Sequence, residues 1–146
     1  MRRIETAWRS VGTKRPPIPG SFLFPSSHRK FLMAQVQELT DRSDFDDLLE
    51  RSKKQPVALL KHSVACPFSA MGQKEFVGLE GENDPPLYAL VVQYARDLSS
   101  HIAETLDVKH ETPQVLIIKD GEAVYHASHD DITTESLRDA AQKVAA

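Results

Sequence analysis

The sequence predicts an α/β domain of three layers: a four-stranded mixed sheet, built from two parallel strands and an antiparallel hairpin, with helices on both faces and an extra N-terminal helix. Three observations carry this prediction. Two unbroken apolar runs, residues 57–60 and 87–92, read as strands covered on both faces. A helical pattern separates them, so the pair is parallel and joined by a right-handed crossover. Finally, the β-branched run at 114–119 leads into Asp120-Gly121, a two-residue turn that returns residues 122–126 antiparallel.

Composition bounds the rest. A chain of 146 residues, 40% apolar and 27% charged, makes one soluble globular domain that can bury a core without disulfides or metals. Its single cysteine cannot form an internal disulfide, which excludes a secreted disulfide scaffold and makes a reducing, cytoplasmic location the expectation. No apolar run approaches the roughly 20 residues that span a bilayer. Neither a membrane nor a nucleic acid is expected as a partner, and a monomer is expected. Charge is unevenly spread: residues 1–33 hold seven Lys or Arg against one acid, while the remainder holds eleven against twenty. Pro16, Pro17, Pro19, Gly20 and Pro25 break any regular element there. Residues 1–33 therefore read as a basic extension, disordered or loosely packed, ahead of a domain at 34–146. Three readings of it stay open: a targeting leader, a basic tail for anionic partners, and a stretch upstream of a true start at Met33. Trp8, Phe22, Phe24 and Phe31 could pack it onto the domain.

Taken in order, Ser43 is expected to cap a first helix, with Asp44, Asp46 and Asp47 near its positive end and Phe45, Leu48 and Leu49 on one apolar face. Pro56 closes that pattern, and the first strand follows. After Cys66, the residues Phe68, Met71, Phe76 and Leu79 can share one broad helical face, with an end near Gly78 or Gly81 and Gly72 weakening the interior. Asn83-Asp84-Pro85-Pro86 is a loop by its turn chemistry. Residues 97–106 form a shorter helix with Leu98, Ile102 and Leu106 on one face and Asp97 or Ser99 near its start. Past the hairpin, Ile132 ahead of a capping Thr133 can pack on Leu137, opening a last helix to about Val144, with Asp130-Asp131 as a further cap.

Cys66 is the residue that carries chemistry. It follows the first strand and precedes Pro67, a residue favoured at the first helical position because its missing N–H would have no partner there. Cys66 is thus placed at a helix N-cap, where unpaired N–H groups and the helix dipole favour the thiolate, the nucleophilic form. The competing reading, a small buried hydrophobe, is weakened by Ser63 and Pro67 beside it at a strand end. Ser69, one turn on, could donate to the thiolate or be a plain first-turn residue. Thr112-Pro113 stands immediately before the hairpin. Its backbone could pair with an extended substrate segment, or the proline could be an ordinary loop residue.

This order of elements is similar to that of a thioredoxin-like domain, with Cys66-Pro67-Phe68-Ser69 as a Cys-x-x-Ser motif and Thr112-Pro113 at the place of the cis-proline that faces the nucleophile. Three blocks sharpen the likeness: Lys61-His62-Ser63-x-x-Cys66-Pro67-x-Ser69, residues 108–115, and Asp120-Gly121-Glu122 through Ser128-His129. Together they resemble the YtxJ-like monothiol bacilliredoxin family over roughly residues 39–144. The resemblance implies a bacterial, cytoplasmic thiol–disulfide oxidoreductase that removes bacillithiol from S-thiolated client proteins. It implies Cys66 as the catalytic residue, and Ser63, Pro67, Ser69, Thr112 and Pro113 around the thiolate or substrate. Bacillithiol would be a co-substrate, with no cofactor tightly bound.

With no second thiol, attack by Cys66 on a mixed disulfide can end only in a new mixed disulfide, cleared by an external thiol. Two alternatives remain. One is an iron–sulfur cluster binding protein like monothiol glutaredoxins with Cys-Gly-Phe-Ser, although Pro67 here replaces that glycine. The other is a redox-inert module that docks peptides near Pro113. The histidines His62, His101, His110, His126 and His129 show no zinc-like spacing, and no metal is expected. His62, four residues before Cys66, could bias the thiolate if protonated.

Overall fold

The computed structural model describes residues 36–145, so the basic segment 1–33 and its aromatic residues lie outside the described residues. The elements run β1 (Val36–Glu38), α1 (Arg42–Ser52), β2 (Val57–His62), α2 (Pro67–Val77), β3 (Leu87–Val91), α3 (Arg96–Leu106), β4 (Gln114–Lys119), β5 (Glu122–Ser128) and α4 (Thr134–Ala145). The sheet order is β1-β3-β2-β4-β5. β1 and β2 both pair parallel with β3, β4 pairs antiparallel with β2, and β5 with β4.

The sheet therefore has five strands rather than the expected four. The added strand, β1, is three residues long with Gln37 and Glu38 exposed, so it has neither the apolar run nor the alternation that marks a strand. Pairing with β3 alone defines it.

Strand alternation divides the core in two. Val57 and Leu59 of β2 join Phe45 and Leu48 of α1 and Leu98, Ile102 and Leu106 of α3 on one face. Ala58 and Leu60 join Phe76 of α2 and Leu137 and Ala141 of α4 on the other. Each fully buried Leu or Phe contributes about 1.5–3 kcal/mol, so these two sandwiched layers fix the sheet and place the C-terminal ends of β2 and β3 side by side.

Local chemistry sets the boundaries. Helix α1 begins at Arg42, not at Ser43, because Asp41 is its N-cap. The Asp41 carboxylate accepts from the Asp44 amide at 3.0 Å, and the Asp44 carboxylate accepts from the Thr40 and Asp41 amides at 2.8 and 3.3 Å. This is a reciprocal capping box. These hydrogen bonds hold the Asp44 carboxyl below its ordinary pKa, the Thr40 amide contributing most.

At the hairpin, Asp120 and Gly121 both take positive φ, 53° and 77°, as a tight two-residue turn requires. Ser52 pins that turn to α1: its carbonyl accepts from the Asp120 amide and its hydroxyl from the Gly121 amide, each at 2.9 Å. Thr133 caps α4 through the Ser136 amide at 3.1 Å, and Ile132 and Leu137 are both buried in one cluster, as expected of a hydrophobic staple. Asp130 and Asp131, expected as a cap, lie instead in a short 3-10 turn, His129–Asp131, since the Thr133 hydroxyl already occupies the capping position.

Replacing Asp41 with Ala should destabilise the protein by about 1 kcal/mol, whereas Ser43→Ala should stay within about 0.5 kcal/mol. Urea unfolding followed by circular dichroism distinguishes them. Equal losses would return the cap to Ser43.

Candidate functional site

Strand β2 ends at His62, and four residues later Cys66 occupies the N-cap of α2 in extended backbone (φ −103°, ψ 121°), with Pro67 opening the helix. The thiol is half-buried and free. The turn that presents it is held from within. Ser69, almost fully buried, accepts the Ser63 amide on its hydroxyl at 3.1 Å, and its own amide donates to the Cys66 carbonyl at 3.1 Å. The hydroxyl of Ser63 accepts the Ala65 amide at 3.3 Å and a hydrogen bond from the Gln93 side chain. Both serines thus shape the loop around Cys66 by tying its start to the first turn of α2.

The peptide bond before Pro113 is cis, as the likeness to a thioredoxin-like domain implies. Pro113 is buried against α2 at Gly72, where a β-carbon would meet Ile132 Cδ1 at 3.2 Å and Pro113 Cβ at 3.4 Å. The glycine that weakens α2 by propensity is therefore the contact that lets the Thr112-Pro113 segment lie on the helix bearing Cys66. The same packing corrects the expected apolar face. Phe76 and Leu79 are buried, but Phe68 and Met71 are 54% and 64% exposed, because the inward face of α2 is Ser69, Gly72 and Phe76. Phe68 and Met71, with exposed Val64 and Tyr94, instead present apolar surface at the end of the sheet where Cys66 lies.

Behind the site stands a polar cluster that sequence reasoning missed. Alternation along β2 turns Lys61 to the face shared by Val57 and Leu59, where it is fully buried and donates to the Ser99 carbonyl of α3 at 3.3 Å. Ser99 Oγ lies 3.3 Å from His110 Nδ1, and His110 Nε2 lies 3.1 Å from Thr112 Oγ1. Burial lowers the Lys61 pKa from 10.5 to about 8. His110 is pushed below its ordinary value by burial and then by Lys61, with Glu111 opposing. A lysine closing an apolar run was the one signal for this cluster in the sequence. Gln93 and Ser99 had none.

The other histidines are dispersed. His101 packs edge-on against Phe45 with ring centroids 5.9 Å apart. Burial lowers the His62 pKa despite the opposing charge of Glu38, which disfavours the cationic ring. Among the described residues no three His, Cys, Asp or Glu side chains converge as a metal group would need, and no helix is long and apolar enough to cross a membrane.

Comparison with known proteins agrees with this geometry. The family model described as Monothiol bacilliredoxin BrxC matches residues 37–137. The chain belongs to the monothiol bacilliredoxin family. A solved protein with a thioredoxin fold is 39% identical, covers 72% of this chain and 92% of its own, and superposes with a TM-score of 0.66. The thioredoxin of Malassezia sympodialis (14% identity, 77% and 93% coverage, TM-score 0.63) and thioredoxin f of spinach chloroplast (17%, 78% and 96%, TM-score 0.61) share the fold alone. The family and the fold support a thiol oxidoreductase of thioredoxin type.

Lys61 makes a stability prediction for this chain. A lysine whose pKa is lower folded than unfolded is released from a penalty as pH rises, so its stability deficit is full below about pH 8 and gone above about 10.5. Lys61→Met keeps the apolar stem and removes the buried charge. It should be more stable than wild type at pH 7, by at most about 3 kcal/mol, and the difference should close by pH 10.5. Urea titrations across that range check it. A pH-independent difference would mean that Lys61 is solvated.

Proposed function

We propose that this bacilliredoxin removes bacillithiol, or a similar low-molecular-weight thiol, from mixed disulfides on client proteins. The observation that carries the reading is the lone Cys66 at the N-cap of α2, in a family of monothiol members. The Cys66 thiolate attacks the small thiol's sulfur; the client sulfur leaves as a thiolate, and the small thiol is now joined to Cys66. A second molecule of small thiol, as thiolate, attacks that disulfide, releasing Cys66 and a symmetric small-molecule disulfide. No net oxidation falls on the protein, and one external thiol is consumed per turnover in addition to the one removed.

Several features support it. Cys66 occupies the N-cap of α2, at the positive end of its dipole. Val64, Phe68, Met71 and Tyr94 offer exposed apolar surface for a client segment beside the thiol. Thr112, next to Pro113, offers backbone groups for an extended chain.

Incubation with the oxidised thiol followed by intact-mass measurement should give a single adduct on Cys66 that disappears in Cys66→Ser. Running bacillithiol, glutathione and cysteine disulfides in parallel names the partner, with bacillithiol expected to react fastest. No adduct with any of them, or one that survives Cys66→Ser, would overturn the reading.

A further inference from the structure

The Lys61–Ser99–His110–Thr112 chain joins the interior of the α3 face to the segment that rests on the helix bearing Cys66, and neither the loop hydrogen bonds around Cys66 nor the exchange cycle uses it. We propose that His110 is a positioning residue for thiol exchange: bonded at both ring nitrogens, it holds Thr112 and the chain entering Pro113 in the arrangement that orients the client disulfide toward Cys66. The proposal rests on the exchange reading above and deepens it.

Two-point attachment is what positions the ring. Ser99 fixes one nitrogen from the first turns of α3, a rigid element, and the other nitrogen fixes the Thr112 hydroxyl. Ser99 is itself held in place through its carbonyl, which Lys61 caps from β2. The loop is secured from the far side by buried Gln114, whose amide donates to the Lys109 carbonyl at 2.8 Å. Thr112 is thus anchored to α3 and β4 at once, while Pro113 rests on α2 at Gly72.

Exchange needs the three sulfurs nearly in line, so a small drift of the segment that docks the client lowers the rate without altering the thiol. Neutral imidazole has one donor and one acceptor nitrogen, which suits two hydroxyls that can each play either part. Protonation turns the acceptor into a second donor and forces one hydroxyl to reverse. Burial and the Lys61 charge from β2 oppose the cation, Glu111 favours it, and Arg96 of α3 lines the same cleft. Burial and Lys61 together outweigh Glu111 and favour the neutral ring.

The test uses the full chain and one client protein, prepared as its bacillithiol mixed disulfide and separately as its 2-mercaptoethanol mixed disulfide. Discharge rates are compared for wild type, His110→Ala and His110→Gln, with iodoacetamide alkylation of Cys66 as the control for intrinsic thiol reactivity. His110→Ala should discharge both substrates about tenfold more slowly, while alkylation stays within about twofold of wild type. His110→Gln, which keeps one donor and one acceptor, should recover a substantial part of the rate. Wild-type discharge by His110→Ala, or a Gln variant no faster than Ala, would overturn the role. If wild type clears the mercaptoethanol adduct and not the bacillithiol one, the identity of the small thiol is wrong, and His110 is judged on the adduct that reacts. Clearance of neither overturns both readings.

Discussion

Helix α2 can lie where it does because Gly72 leaves room for Pro113 and Ile132 to rest on it. That close approach costs about 1 kcal/mol of helix propensity relative to alanine. It brings three parts of the chain together at the end of the sheet: the helix that carries Cys66, the loop that ends in Thr112-Pro113, and the turn that opens α4. A larger side chain at 72 would separate the reactive end of α2 from the segment proposed to hold its substrate. The hydrogen bonds of Ser63 and Ser69 then refine the position of Cys66 within a frame that the packing has already set.

The opposite face of the sheet is organised by a conflict. Lys61 sits in a core layer with Val57 and Leu59 behind it, and among the described residues its only hydrogen-bond partner is a neutral carbonyl. A buried cation without a carboxylate partner lowers stability, and an apolar side chain of the same length would pack equally well. What Lys61 does in return is local: it holds Ser99, and its charge disfavours a second cation at His110. Departures of this kind from a well-packed core concentrate at functional sites. This one ends at Thr112, beside the cis proline that rests on the helix bearing Cys66.

Much of this was legible along the chain. Buried parallel strands declare themselves as unbroken apolar runs, so β2 and β3 were found within two residues of their ends. Asp120-Gly121 demanded positive φ at both positions, and the hairpin followed. Cys66-Pro67 marked a strand-to-helix junction because both residues have their own reasons to be there. The misses share a cause. β1 is a strand only because β3 lies beside it, and Phe68 and Met71 are exposed because Pro113 and Ile132, distant in sequence, occupy the face they were expected to fill.

The sequence by itself determined the lone cysteine, its place at a strand-to-helix junction and the order of the layers, since these follow from residue identity, the cysteine count and local periodicity. Only the tertiary structure decided which distant side chains join the loop before Cys66 and the polar cluster at the end of β2. Lys61, Gln93, Ser99 and His110 come from β2, the end of β3, α3 and the loop before β4, and no local pattern links them. Their meeting depends on strand alternation and on the crossover that lays α3 over β2, which are properties of the folded sheet rather than of any one stretch of chain.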